Sequence, residues 1–467
     1  MKKRLLPIVL ICALLLAALP MTAAAENVGD FEDVSNSDYF ATAVEWALDW
    51  GVTNGTSDTT FSPELTCTRG QVVTFLWRAH GEPEPATGWN PFADVPSGSW
   101  YEKAAVWAVE EGITTGTSEV PKLFSPEEPC TYAEILTFIW RAKGSPAADF
   151  ASPLTRGHET AYYAPAVDWA YCNAMLEDED FDAFDPDRPC DRGRTVAWLW
   201  RESTVYVSTV EDFMAAIGPG RQIFLAPGTY NLTDWVDSVM AGGYDVASHE
   251  TGNPYVKLDL VNDGFEIIIL GVTNLSISTN DVYAGETAEI VVEPRYANVL
   301  TFLDCDKVLL DDLVLGHTPD QGYCTGGVLR FADCGRIALS NLDLYGCGTY
   351  GVIAERCDSI WTIYSVIREC SYGLVSLAQV SDARFGSCEF RDCEGYDMIG
   401  LRDGCRALFQ DCTFLNNTWE TKWSRFLSMD ENCEAAFLGC TLDQTAYDDL
   451  TGSIEGKDVT LEDLTVA

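Results

Sequence analysis

FEDV (Phe31–Val34), AVEWALDWGVTNGT (Ala43–Thr56), FSPE (Phe61–Glu64) and CTRGQVVTFLWR (Cys67–Arg78) form a paragraph that this chain writes three times. The second copy reads FADV (Phe92–Val95), AVWAVEEGITTGT (Ala105–Thr117), FSPE (Phe124–Glu127) and CTYAEILTFIWR (Cys130–Arg141). The third is worn at its start, DFASP (Asp149–Pro153), and recovers as AVDWAYCNAM (Ala166–Met175), FDPD (Phe184–Asp187) and CDRGRTVAWLWR (Cys190–Arg201). Arg78, Arg141 and Arg201 lie 63 and 60 residues apart, and Trp46, Trp107 and Trp169 lie 61 and 62 apart. A repeat this regular decides the architecture before any local propensity does.

Inside each copy the spacing of Val44, Ala47 and Leu48 predicts an amphipathic helix of about three turns. Gly51 and Gly55 open a loop, and Thr68 is an N-cap for a second helix with Val72, Val73, Leu76 and Trp77 on its apolar face. Cys67, Cys130 and Cys190 precede that helix in every copy. Three equivalent cysteines cannot all pair with one another, so small buried residues are expected there.

Over roughly residues 27–202 these landmarks resemble the S-layer homology (SLH) repeat of bacterial surface proteins. The resemblance implies an all-α module of three repeats. It also implies non-covalent binding to pyruvylated secondary polysaccharide of a Gram-positive-type cell wall. In that family the turn opening the second helix carries a Thr-Arg-Ala-Glu-like tetrad whose arginine meets the anionic ketal sugar. Here the tetrads are Thr68-Arg69-Gly70-Gln71, Thr131-Tyr132-Ala133-Glu134 and Asp191-Arg192-Gly193-Arg194. Arg69 and Arg192, with Thr68 and Thr131, are the polysaccharide ligands this implies, since an arginine fork suits a carboxylate. Tyr132 departs from the pattern. The alternative for both arginines is a salt bridge on an acidic surface.

Lys2, Lys3 and Arg4 precede an apolar run, Leu5 to Leu19, that ends in Ala23-Ala24-Ala25. Residues 1–25 therefore read as a secretory signal peptide. No later segment is apolar enough to span a bilayer, so the repeats are expected to be the anchor, on the cell wall or S-layer. The formal charge is −43, and losing the signal peptide removes three bases and no acids. That balance excludes nucleic acid as a partner, because phosphate contacts need a basic face. It is compatible with calcium, although no metal site or cofactor is expected: diffuse acidity is most often a solvated surface.

The chain divides into repeats at 27–89, 90–148 and 149–202, followed by a β-rich region at 203–467. There TVYVSTVEDFMAAIGPGRQIFLAPGTY (Thr204–Tyr230) resembles the N-terminal cap of pectate-lyase-like right-handed β-helices. Apolar pairs two residues apart recur at Leu300/Phe302, Leu329/Phe331, Val375/Leu377, Ile399/Leu401 and Leu427/Met429, with one turn, Ile353/Glu355, that breaks the pattern. The steps, 29, 24, 22, 24 and 28 residues, predict a right-handed parallel β-helix solenoid. Cysteines fall in columns at the same period. Cys305, Cys334, Cys357, Cys405 and Cys433 share one position with Val380, Cys388, Cys412 and Cys440 a second, and Cys347, Cys370 and Cys393 a third. Without a CxxC pair, stacked small core residues are favoured over metal or disulfides.

The two long coils carry their extra residues in GHTPDQGYCTGG (Gly316–Gly327) and NNTWETKWSRF (Asn416–Phe426). Between them Tyr350, Tyr372 and Tyr396 recur at 22 and 24 residues. Two insertions flanking an aromatic stripe describe a glycan groove, with Tyr323 and His317 on one wall and Trp419, Lys422 and Trp423 on the other. A buried tyrosine ladder is the alternative. For catalysis the candidates are His317, which titrates near neutrality, and the adjacent Asp311 and Asp312. Glu293 to Asn298 is a further dense polar stretch that frames a site or caps a strand. Two function classes stay open: a binding surface protein displaying a β-helix for an extracellular glycan or partner, and a wall-anchored polysaccharide lyase or glycoside hydrolase.

Overall fold

The computed structural model of the chain describes residues 28–29, 31–176, 184–243, 251–280, 285–319, 325–346, 348–420 and 422–467. They form two compact units, one reaching Thr204 and the other running from Val205 to Ala467. The signal-peptide reading lies outside the described residues.

In the N-terminal unit each repeat supplies two helices: α1 (Ala41–Asp49) and α2 (Arg69–Ala79), α3 (Glu102–Glu110) and α4 (Tyr132–Ala142), then α5 (Ala164–Cys172) and α6 (Arg192–Ser203). Thr68 and Thr131 open α2 and α4 with full capping boxes, returned by Gln71 and Glu134, and Asp191 caps α6 through Arg194 N–H. The recurring letters are the ties that close each repeat on itself. Asp33 accepts from the Phe61 and Ser62 amides, and Asp94 from those of Phe124 and Ser125. The closing arginines Arg78, Arg141 and Arg201 donate to the carbonyls of Val52, Ile113 and Met175.

The three repeats then join in a ring. The Cys67 amide donates to Cys190 O, that of Cys130 to Cys67 O and that of Cys190 to Cys130 O, each at 2.9 Å. All three side chains are fully buried. The next amides continue outward. Those of Arg69 and Gly70 donate to Glu128 and Pro126 of the second repeat, those of Tyr132 and Ala133 to Arg188 and Pro186 of the third, and those of Arg192 and Gly193 to Leu65 and Pro63 of the first. A helix cannot satisfy its own first amides; here another repeat's turn does so.

The C-terminal unit is a parallel β-helix. Leu300, Leu329, Val352, Val375, Ile399 and Leu427 pair in register and begin coils 1 to 6. The third coil is a correction. Val352 and Ala354, not Ile353 and Glu355, face inward, so the pattern does not break, and the steps are 29, 23, 23, 24 and 28 residues. Ile353 and Glu355 point outward. Three strand faces make each coil. The first and second merge into one sixteen-stranded sheet, because Val352–Ile363 and Val375–Gly386 run across the corner, and the third face is a nine-stranded sheet.

Corners explain the cysteine columns. Asp304, Asp333, Arg356 and Gln379 hold φ between +50 and +60, immediately before Cys305, Cys334, Cys357 and Val380. Ser387 and Asp411 do the same before Cys388 and Cys412, as do Glu369 and Asp392 before Cys370 and Cys393. Asn and Asp tolerate this left-handed conformation best. The residue after it turns into the core, where a small side chain fits. Cys334, Cys388, Cys412 and Cys440 each donate to a carbonyl of the preceding coil, at 3.2–3.5 Å. The described cysteines are free thiols; Cys347 lies outside the described residues. Phenylalanines fill the interior in stacks, with Phe409 4.9 Å from both Phe385 and Phe437 and nearly parallel to each.

Candidate functional site

In the N-terminal unit the tetrad arginines differ from expectation. Arg69 and Arg192 are only 4% and 3% exposed. Arg69 reaches into the second repeat, where Nε donates to Phe124 O, Nη1 pairs with Glu134, and the guanidinium lies between the rings of Phe124 and Phe138. Arg192 fills the matching slot of the first repeat, donating to Phe61 O and Thr53 Oγ1 between Phe61 and Phe75. Burial pulls its pKa below the usual guanidinium value. Tyr132, the odd member, fills the third slot against Trp198, 4.8 Å away edge-on. All three are dowels between repeats. They turn inward because the amides beside them are already held by the neighbouring turn. Thr68 and Thr131 likewise spend their hydroxyls as caps, accepting from Gln71 N and Glu134 N.

What each repeat does present to solvent is an aromatic ring just before its first helix. Tyr39, Trp100 and Tyr162 are 52%, 57% and 59% exposed. Each stands edge-on to its neighbour, Phe40, Tyr101 or Tyr163. Beneath them lies the tetrad of another repeat. A Cβ on Gly193 would sit 2.8 Å from Phe40, and one on Gly70 3.5 Å from Tyr101. The fourth tetrad residue decides the charge at the ring. Arg194 lies over Tyr39 at 4.4 Å. Partial burial, and then the charges of Glu134 and Asp187, push the Tyr162 phenol up to about 12. The sequence signal was there, in DYF, SWY and AYY before each helix.

On the β-helix the tyrosine stripe forms with an offset. Tyr372 and Tyr396 occupy one column, linked by Tyr396 N–H to Tyr372 O, and their rings lie 4.7 Å apart. Tyr350 sits one residue nearer its strand, in the column of Gly373 and Asp397. It therefore meets Tyr372 edge-on at 6.5 Å. Its ring crosses Gly373, where a Cβ would come within 2.8 Å. Tyr350 and Tyr372 are half-buried and Tyr396 is exposed, so none lies inside the coil. Burial, then the charge of Asp397, raises the Tyr350 phenol above its ordinary value. Beside the stripe, the outward residues of the first face pair off: Arg330 with Glu355 at 2.9 Å, and Arg402 with Asp397 at 3.4 Å and Ser428 Oγ at 2.9 Å. The sequence reading missed this set. The slip that put Glu355 inside hid it.

The proposed walls assemble only in part. His317 is buried, with Nε2 donating to Ala297 O and with Gly346 and Gly348 packed on it. It ends strand Leu313–His317 at an inward position, and burial lowers its pKa, so it does not line a groove. Asp311 and Asp312 sit at the corner before that strand, where Asp311 accepts from Asn341. Five extended residues, about 16 Å, separate Asp312 from His317, and the three do not form one catalytic cluster. Trp419 is 9% exposed and packs on Phe426, whereas Trp423 is 74% exposed with Lys422 Nζ over its ring. Tyr323 lies outside the described residues. The Glu293–Asn298 stretch ties down the preceding coil: Arg295 and Tyr296 amides donate to Asp263, and Asn298 to Glu266. Glu293 also borders a cleft of about 400 Å3. Among the described residues no cluster of three His, Cys, Asp or Glu is placed to hold a metal.

The S-layer homology domain family matches residues 30–73 and 91–136. The N-terminal unit is an SLH module. Its third repeat has the same two-helix build and closes the ring. A "Cell surface protein" of Thermoanaerobacter kivui is 30% identical over 146 residues, and a "Surface-layer 125 kDa protein" of Lysinibacillus sphaericus 34% identical over 122. These matches cover 30% and 26% of this chain, and the chain spans only 19% and 10% of those relatives. The chain is a cell-wall or S-layer protein of a bacterium. Among solved structures, pectate lyase Pel9A is similar at TM-score 0.35 and 12% identity, covering 51% of this chain and 62% of its own. A GH136 lacto-N-biosidase from Eubacterium ramulus is similar at TM-score 0.27 and 9% identity, over 91% and 96%. No helix among the described residues is long and apolar enough to cross a membrane.

Proposed function

We propose that the SLH module holds the protein non-covalently on a pyruvylated wall polysaccharide, and that the β-helix is the part displayed, binding an extracellular glycan. The observation that carries the first half is the set of three equivalent exposed rings, each above another repeat's tetrad, with the Arg194 guanidinium over Tyr39. A ketal sugar offers an apolar face and a carboxylate, and a ring with a guanidinium over it answers both. The Tyr39–Arg194 groove is the proposed principal site, the Trp100 groove, where Gln71 takes the place of Arg194, the second, and the Tyr162 groove, beside Glu134, the weakest. Arg69 and Arg192 act on binding through the ring they hold together.

The test is co-sedimentation of the mature chain with purified walls, intact or stripped of polysaccharide. Tyr39→Ala with Arg194→Ala should lower retention about tenfold or more, and Tyr162→Ala much less. Equal retention on stripped walls would end the proposal. For the β-helix, the exposed tyrosine stripe favours binding. Enzymatic cleavage is the second reading, motivated by the carboxylates Glu355 and Asp397 on one face; release of reducing ends or unsaturated products from polysaccharides would decide for it.

A further inference from the structure

We propose that the first face of the β-helix reads a neutral, hydroxyl-rich sugar residue in a trough one coil wide, formed by coil 4. This rests on the reading that the β-helix binds glycan, and adds the ligand's chemical class. Coil 4 contributes only the small side chains of Ser376 and Ala378 to that face, Gly373 being buried beneath the Tyr350 ring. These two are flanked by Ile353 and Glu355 on coil 3 and, beside Ala378, by Arg402 on coil 5. Beside Ser376 on coil 5 stands Gly400, itself buried but without a side chain, where a Cβ would meet nothing closer than 3.9 Å. Adjacent rungs lie about 4.8 Å apart, so coils 3 and 5 stand about 10 Å apart, room for one pyranose ring. Tyr372 and Tyr396 border the trough on one edge and supply the stacking surface.

Charge selects the ligand. The two arginines on the coils beside the trough are matched to carboxylates, Arg330 to Glu355 and Arg402 to Asp397. A matched pair is a ready donor and acceptor for two neighbouring hydroxyls, and it needs no counter-charge from the ligand. An anionic sugar in the trough would have to displace Asp397 or Glu355 to gain the guanidinium of Arg402 or Arg330. It would also approach a chain with 72 acidic and 29 basic residues, against a repulsion that low salt leaves unscreened.

The test uses the mature chain at low ionic strength. Calorimetry compares oligosaccharides of equal length, one set of neutral hexoses and N-acetylhexosamines, the other containing uronates. The trough is filled by Ser376→Phe, an outward substitution whose folding is checked by circular dichroism, and the stack is shortened by Tyr396→Ala. Neutral ligands should bind at least tenfold more tightly than uronates. Ser376→Phe should abolish binding, and Tyr396→Ala should weaken it about tenfold. Uronate preference with sensitivity to both variants would overturn the neutral class and leave the glycan reading standing. Binding indifferent to both variants, or binding of neither set, would overturn both.

Discussion

The two units bury their repeats by opposite rules. In the SLH module every repeat has a slot filled by another: Arg69 sits in the second repeat, Tyr132 in the third, Arg192 in the first. The ring has no free end. In the β-helix each coil touches only its neighbours, and the outermost paired rung among the described residues is Asp458–Glu462. A ring is damaged everywhere by one loss, whereas a stack is damaged near it. Regular repetition in a sequence therefore says little about how far a perturbation travels; closure decides that.

The sharpest way to break this contrast is Phe409→Ala. Removing a ring stacked on Phe385 and Phe437 should cost roughly 3–5 kcal/mol. Hydrogen exchange should show the lost protection concentrated in coils 4 to 6, with the SLH helices unchanged. Protection lost evenly along the β-helix would mean that the stack is as cooperative as the ring. Next, Arg69→Ala removes a buried guanidinium from between Phe124 and Phe138 together with its ion pair to Glu134, and should cost about 3 kcal/mol. Helices of all three repeats should loosen together; loosening confined to the second would break the ring argument.

A smaller effect separates the units by pH. His317 titrates below its ordinary 6.5 in the fold because of burial. The unfolded chain then binds the extra proton first, so β-helix stability falls as pH drops below about 6.5, by at most about 1.4 kcal/mol per unit. Thermal melts of wild type and His317→Gln should differ in slope only in that window. An unchanged slope would mean that His317 is not the group responsible. Smallest of all is Cys357→Val, expected to cost under about 1.5 kcal/mol, because Val380 already fills the same column one coil on. A larger loss, or thiols that resist alkylation after unfolding without reductant, would show that the columns are cross-linked.

Much of this was legible in the letters. The FxDV aspartate and the closing arginine recur because each ties a repeat to itself. The coil period was legible because inward residues alternate. What failed did so for physical reasons. Ring closure runs through backbone amides and carbonyls, which have no letter of their own. An arginine that grips a sugar and one that plugs a phenylalanine slot look alike in a tetrad, so the burial of Arg69 and Arg192 was not legible. At coil 3, apolar Ile353 beside Val352 allowed a one-residue slip that reversed inside and outside. That slip concealed Glu355 and, with it, the paired face beside the tyrosines.

The cyclic order of the slots bears on how the chain is made. The first repeat's slot is filled by Arg192, which lies at the start of the last helix of the module. A polypeptide delivered N-terminus first across a membrane cannot finish its first repeat until more than a hundred further residues have emerged. Repeats one and two must wait with open pockets, and then the module shuts in a single event. The coils that follow have no such appointment to keep; each can settle on the one before it as it arrives.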